Sequence, residues 1–149
     1  LIAEPLNKIN IQANISMNNN SIIEKIFKLN NIAVVGMSPK KERPSNYVSA
    51  YMMNNGYNII PVNPCQRIIE SKKCYPSLLD IPIKIDIVNV FRKSEYVNAI
   101  TREAIKIKAK AIWLQDGVIC NTSLQEAKKS GLLFIMNDCI LRRHRQLNI

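Results

Sequence analysis

Five short, mostly apolar runs recur along this chain: Ile32–Val35, Tyr57–Val62, Ile85–Val90, Ala111–Leu114 and Leu132–Met136. Runs of this kind fit strands whose two faces are both covered. Helix-like segments fill the intervals. Ser21 can cap a helix to about Asn30, with Glu24 at the capping-box position. Asn46–Asn55 reads as a helix closed by Gly56, Ser94 can cap a helix to about Lys108, and Thr122–Ser130 ends at Gly131. Alternating strands and helices predict an α/β chain: a doubly wound, mostly parallel five-stranded sheet in three layers (αβα). Residues 65–80 form a longer connection, with Leu78-Leu79-Asp80 as a short helical turn. The Asn-rich residues 1–20 read as a loose arm, 21–149 as a single domain, and the segment from Leu141 as a basic tail.

Ligands of such sheets sit at the carboxyl ends of the strands, so the residues just past each strand are the candidates. The first loop is the richest. The run Ile32–Val35 stops at Gly36, and a basic loop (Met37, Ser38, Lys40, Lys41, Arg43) leads to a helix start at Pro44-Ser45. Helix N-termini attract anions through free N–H groups and the helix dipole. The remaining strand ends add Val62, Asn63, Pro64 and Arg67, then Phe91 and Arg92, then Gln115, Asp116 and Gly117, and finally Asn137 to Cys139. Cations and amides outnumber carboxylates on this rim, which suits phosphates and a base better than acid–base chemistry.

The formal net charge of +10 points to anionic company. Nucleic acid is one candidate, but no aromatic RNA-binding run or zinc module accompanies the charge. The four cysteines (65, 74, 120, 139) form no C-x-x-C pair, and with one histidine they argue against a metal site. A reducing, cytoplasmic location fits the thiols. The chain begins at Leu1 rather than Met, so an organellar location stays open. No run approaches the roughly 20 apolar residues of a membrane span. His144 falls in the basic tail, and no nucleophile–His–acid set or close carboxylate pair is visible, so catalysis is not expected.

A nicotinamide dinucleotide fits poorly. Its fingerprint needs G-x-G-x-x-G and an acidic residue about twenty positions on. Here only Gly36 is present, and the second strand ends Pro-Val-Asn-Pro. Arg67, Lys72 and Lys73 near that end favour a phosphorylated ribose, hence CoA or NADP over NAD.

Taken together, the segments resemble one family. Val-Val-Gly-Met-Ser with Arg-Pro-Ser (34–45), Gly-Tyr-Asn-Ile-Ile-Pro-Val-Asn-Pro (56–64), Lys-Cys-Tyr-Pro-Ser-Leu (73–78), Ile-Val-Asn-Val-Phe-Arg (87–92) and Trp-Leu-Gln-Asp-Gly-Val (113–118) occur in the order of the CoA-binding domain family. The chain is similar to a single-domain CoA-binding protein, and to the N-terminal domain of the succinyl-CoA synthetase α subunit, over roughly residues 25–140. The resemblance implies a Rossmann-like fold and coenzyme A or an acyl-CoA as ligand. It also implies phosphates held by Gly36, Ser38, Lys41 and Arg43, and an adenosine end lined by Val62, Asn63 and Arg67. Phe91 and Arg92 would cover the nucleotide, and Gln115 to Gly117 would lie by the pantetheine arm. The synthetase's phosphorylated histidine belongs to a second domain, so the resemblance implies binding without catalysis. The last segment departs from the family's Asp-Arg-Cys, Lys and Glu-His pattern: only Cys139 and His144 are kept. An NADP- or CoA-dependent enzyme and a basic nucleic-acid-binding protein are the alternatives.

Overall fold

The computed structural model describes residues 18–147. Its elements are α1 (Asn20–Phe27), β1 (Asn31–Val35), α2 (Pro44–Asn54), β2 (Asn58–Val62), a hairpin of β3 (Ile68–Ile69) and β4 (Lys72–Lys73), a 3-10 turn at Leu78–Asp80, β5 (Ile87–Val90), a second 3-10 turn at Ser94–Tyr96, α3 (Val97–Lys106), β6 (Ala111–Leu114), α4 (Asn121–Lys129), β7 (Leu133–Ile135) and α5 (Ile140–Gln146).

The main sheet runs β2-β1-β5-β6-β7, every pair parallel. Beyond β2, Tyr75 adds one parallel bridge to Val62, with its N–H donating to the Pro61 carbonyl (3.0 Å). That single bridge extends the sheet edge without forming a strand. Strand residues alternate between two cores. Ala33, Val35, Val88, Val90, Ile112 and Leu114 face Leu78, Val97, Ile100, Ala104 and Ala127, so α3, α4 and the first 3-10 turn cover one face. Ile32, Val34, Ile87, Trp113 and Ile135 face Ile23, Ile26, Phe27, Val48, Met52 and Ile140, so α1, α2 and α5 cover the other. The arrangement is the doubly wound αβα, Rossmann-like sheet expected from the alternation of strands and helices.

Several local expectations change. Residues 1–17 of the expected arm lie outside the described residues. Asn19, not Ser21, caps α1: its side chain accepts from the Ile22 N–H (2.9 Å). Ser94 does not cap a long helix either. A 3-10 turn precedes α3, and the Ser94 hydroxyl instead accepts from the Ile119 N–H (3.0 Å). The expected basic tail is α5. Ile140 and His144 are four residues apart and both buried, so they share an inward face, while Arg142 and Arg145 stay exposed.

Candidate functional site

The chain leaves β1 for α2 on one face of the sheet and leaves β5 for α3 on the other. Between these neighbouring strands lies the switch in strand order, where the sheet opens a crevice at its carboxyl edge.

Gly36 turns the chain at the end of β1. Its φ is +87°, and a Cβ there would lie 2.9 Å from Arg92 Cδ and 3.0 Å from the Phe91 carbonyl oxygen. Only glycine tolerates both the angle and the approach. The loop that follows is pinned from within. The Ser38 N–H donates to Ser45 Oγ (2.9 Å), the Lys40 N–H to Ser38 Oγ (3.1 Å), and the Asn46 amide to the Ser38 carbonyl (2.9 Å). Arg43 is the N-cap residue of α2 and Pro44 opens the helix, which suits a ring with fixed φ and no N–H to lose.

Two hollows meet here, each about 450 Å³. The first is lined by Gly36, Ser38, Lys40, Arg43, Pro44, Ser45 and Phe91 and holds no carboxylate. The second continues past Pro44 and Phe91 along Tyr47, Val48, Arg92, Lys93, Gln115, Asp116, Gly117, Val118, Cys139 and Leu141, and is largely apolar. Among the described residues, Lys40, Arg43, Arg92 and Lys93 have no carboxylate within ion-pair distance. The one carboxylate in either wall, Asp116, receives two bonds from the Arg142 guanidinium (3.0 and 2.9 Å). Those hydrogen bonds hold its carboxyl below the usual carboxylate range, against the opposing effect of burial. Arg142 also reaches the buried Asp138 (3.1 Å), beside which Arg143 sits at 3.4 Å. The Gly117 N–H donates to Asn137 Oδ1 (2.8 Å), so the loops after β6 and β7 are joined.

Nine of the fifteen residues singled out from the sequence come together in these walls: Gly36, Ser38, Lys40, Arg43, Phe91, Arg92, Gln115, Asp116 and Gly117. Gln115 is buried and its amide donates to Asn89 Oδ1 (2.6 Å), so part of its hydrogen-bonding capacity serves β5. The other six stand elsewhere. Met37 is fully buried in the core and Val62 nearly so. Asn63 donates to the Met37 carbonyl (2.9 Å) and accepts from the Cys65 N–H (2.8 Å), so both ends of its amide go to backbone. Lys41, Pro64 and Arg67 are exposed and line neither hollow. Sequence reasoning missed the walls supplied by Tyr47, Val48, Lys93, Val118 and Leu141. Pro44, Tyr47 and Val48 repeat at the i, i+3, i+4 spacing of one helix face, a signal present once α2 is started at Pro44.

No helix among the described residues is long and apolar enough to cross a membrane. No group of three or more His, Cys, Asp or Glu side chains among them could hold a metal ion.

The whole architecture has known counterparts. A model of the CoA binding domain matches residues 30–145. The uncharacterized protein YneT of Bacillus subtilis is 39% identical over 123 residues, spanning 83% of this chain and 91% of that protein. A solved structure of a hypothetical protein from Pyrococcus horikoshii superposes with a TM-score of 0.83 at 38% identity, covering 87% of this chain and 91% of that one. The ADP-forming 4-hydroxybutyrate–CoA ligase of Nitrosopumilus maritimus is 28% identical over 108 residues, 71% of this chain but only 15% of the ligase. With a family match running from just before β1 to the end of α5 and full-length relatives of the same size and shape, this chain belongs to the CoA-binding domain family.

Proposed function

We propose that this protein binds coenzyme A or an acyl-CoA across the two joined hollows, as a binding module rather than an enzyme. The observation that carries this reading is the juxtaposition itself. A carboxylate-free basic hollow at a helix N-terminus opens, past Phe91 and Pro44, into a longer apolar one. A CoA molecule has the same polarity sequence, a diphosphate followed by a pantetheine arm. Lys40, Arg43 and the Ser38 and Ser45 hydroxyls would hold the diphosphate. Tyr47, Val48, Val118 and Leu141 would flank the arm, and Arg67, on the exposed loop after β2, would meet the ribose 3′-phosphate. The ligase relative, whose name states a CoA substrate, supports the same ligand class.

Binding without turnover is supported by the one carboxylate in the walls. Asp116 is held ionised by Arg142 and is no general acid. The test is calorimetric titration with CoA and dephospho-CoA. Arg43→Ala weakens both ligands alike if Arg43 holds the diphosphate, and Arg67→Ala weakens CoA alone. Wild-type protein that is folded yet shows no heat and no thermal stabilisation with millimolar CoA would end the reading, since saturating ligand adds about 2.7 kcal/mol at 100 times Kd.

A further inference from the structure

Arg92 lines the longer hollow next to Phe91, a residue of both hollows, and two residues from different elements flank it. On one side its stem runs so close to Gly36 that a methyl group there would stand 2.9 Å from Cδ and 3.2 Å from Cγ. On the other side its guanidinium carbon sits 4.3 Å from the centroid of the Tyr96 ring, in the 3-10 turn that follows β5. Tyr96 is 45% exposed and belongs to neither core cluster. The guanidinium has no ion-pair or hydrogen-bond partner among the described residues, in contrast to Arg142 and Arg143. A cation over a ring face needs no hydrogen bond to the ring, so the five N–H donors of this guanidinium stay available.

We propose that Tyr96 is a positioning residue: it presets Arg92, with Gly36 as the opposing wall, so that the N–H edge meets the diphosphate of the bound CoA at the junction of the two hollows. This rests on the CoA-binding reading and names a residue outside the hollows on which the site depends. A free arginine side chain loses rotamer freedom when it grips a phosphate. Tyr96 takes that loss in the unliganded protein, which is the physical content of preorganisation. The ring acts only through Arg92 and touches no ligand.

The experiment is a double-mutant cycle read by calorimetric titration with CoA and with dephospho-CoA, with thermal unfolding as a check on the fold. Wild-type binding comes first; if wild type binds neither ligand, the CoA reading falls and this inference falls with it. Given wild-type binding, Tyr96→Leu weakens both ligands by about two- to fivefold, the range expected for an exposed cation–π contact. Tyr96→Phe, which keeps the ring, restores wild-type affinity. In an Arg92→Ala background, Tyr96→Leu has no further effect. Three results overturn the proposal: Tyr96→Leu binding as wild type, Tyr96→Leu weakening the Arg92→Ala protein by the same factor, or a loss confined to CoA with dephospho-CoA spared. The last would assign Arg92 to the 3′-phosphate instead.

Discussion

Arg142 grips Asp116 through two bonds of 3.0 and 2.9 Å, tying α5 to the loop that follows β6. Both side chains are about half exposed, so the pair is screened by water and contributes little to stability by itself. Asp138 is different, because it is buried and takes one bond from the same arginine. Asp116→Ala is therefore expected to cost under about 1 kcal/mol. Arg142→Ala costs more, on the order of 1–3 kcal/mol, since it strips a buried carboxylate of one of its partners. Urea denaturation of the two variants measures the difference; equal losses would contradict it.

Gly36→Ala is expected to lower both stability and CoA affinity. The left-handed φ of +87° and the contacts at 2.9 and 3.0 Å cannot both be kept with a Cβ present. Strain of this kind costs about 1–3 kcal/mol. Relief comes by moving Arg92 or the Phe91 carbonyl, so the binding loss accompanies the stability loss. Denaturant midpoints and CoA titration on the same preparation check the pair of effects.

His144 gives the fold an acid sensitivity. Its Nδ1 lies 2.9 Å from the Tyr51 hydroxyl, and its ring packs edge-on against Phe27, Tyr51 and Tyr57. Burial pushes the imidazole below its usual value of 6.5, so the folded protein holds it neutral. The unfolded chain takes up a proton near pH 6.5. Stability from this group is then complete above about pH 6.5 and declines as pH falls from there toward the lowered folded-state pKa. A urea midpoint that drops over this range in wild type, and stays flatter in His144→Phe, is the expected outcome. Parallel curves would show that other groups set the slope.

The half-buried Cys120 and the buried Cys74 should differ in reactivity. Cys120 Sγ stands 3.3 Å from Ser123 Oγ and 3.4 Å from Thr122 Oγ1 at the start of α4. Burial alone would raise its pKa, but hydrogen bonding with the side chains and backbone of Ser123 and Thr122 outweighs that, and the thiol is shifted down. Burial pushes the Cys74 thiol up. Alkylation with iodoacetamide at neutral pH, followed by peptide mass spectrometry, is expected to label Cys120 well before Cys74. Simultaneous labelling would refute the ordering.

The five strands are legible in the sequence because each is a short, mostly apolar run set between helix-like segments, and both faces of the sheet are covered. The edge bridge at Tyr75 is not, since a single backbone pairing leaves no pattern in side chains. The segment from Leu141 reads as a charged tail because three arginines outweigh one spacing, Ile140 to His144, that makes it an inward-facing helix. At the cleft, Gly36, Ser38, Lys40 and Arg43 are readable from residue chemistry, whereas Met37, buried in the core, and Lys41, outside both hollows, are not. Asn63 shows the limit of that reading: an amide at a strand end serves ligand or backbone equally well, and only coordinates reveal that its amide goes to Met37 and Cys65.

That double commitment of Asn63 has a mechanical corollary. The turn after β1 and the turn after β2 are riveted through one planar group, so neither slides without dragging its neighbour. Removing that one amide, rather than any apolar contact, is what would uncouple the two turns.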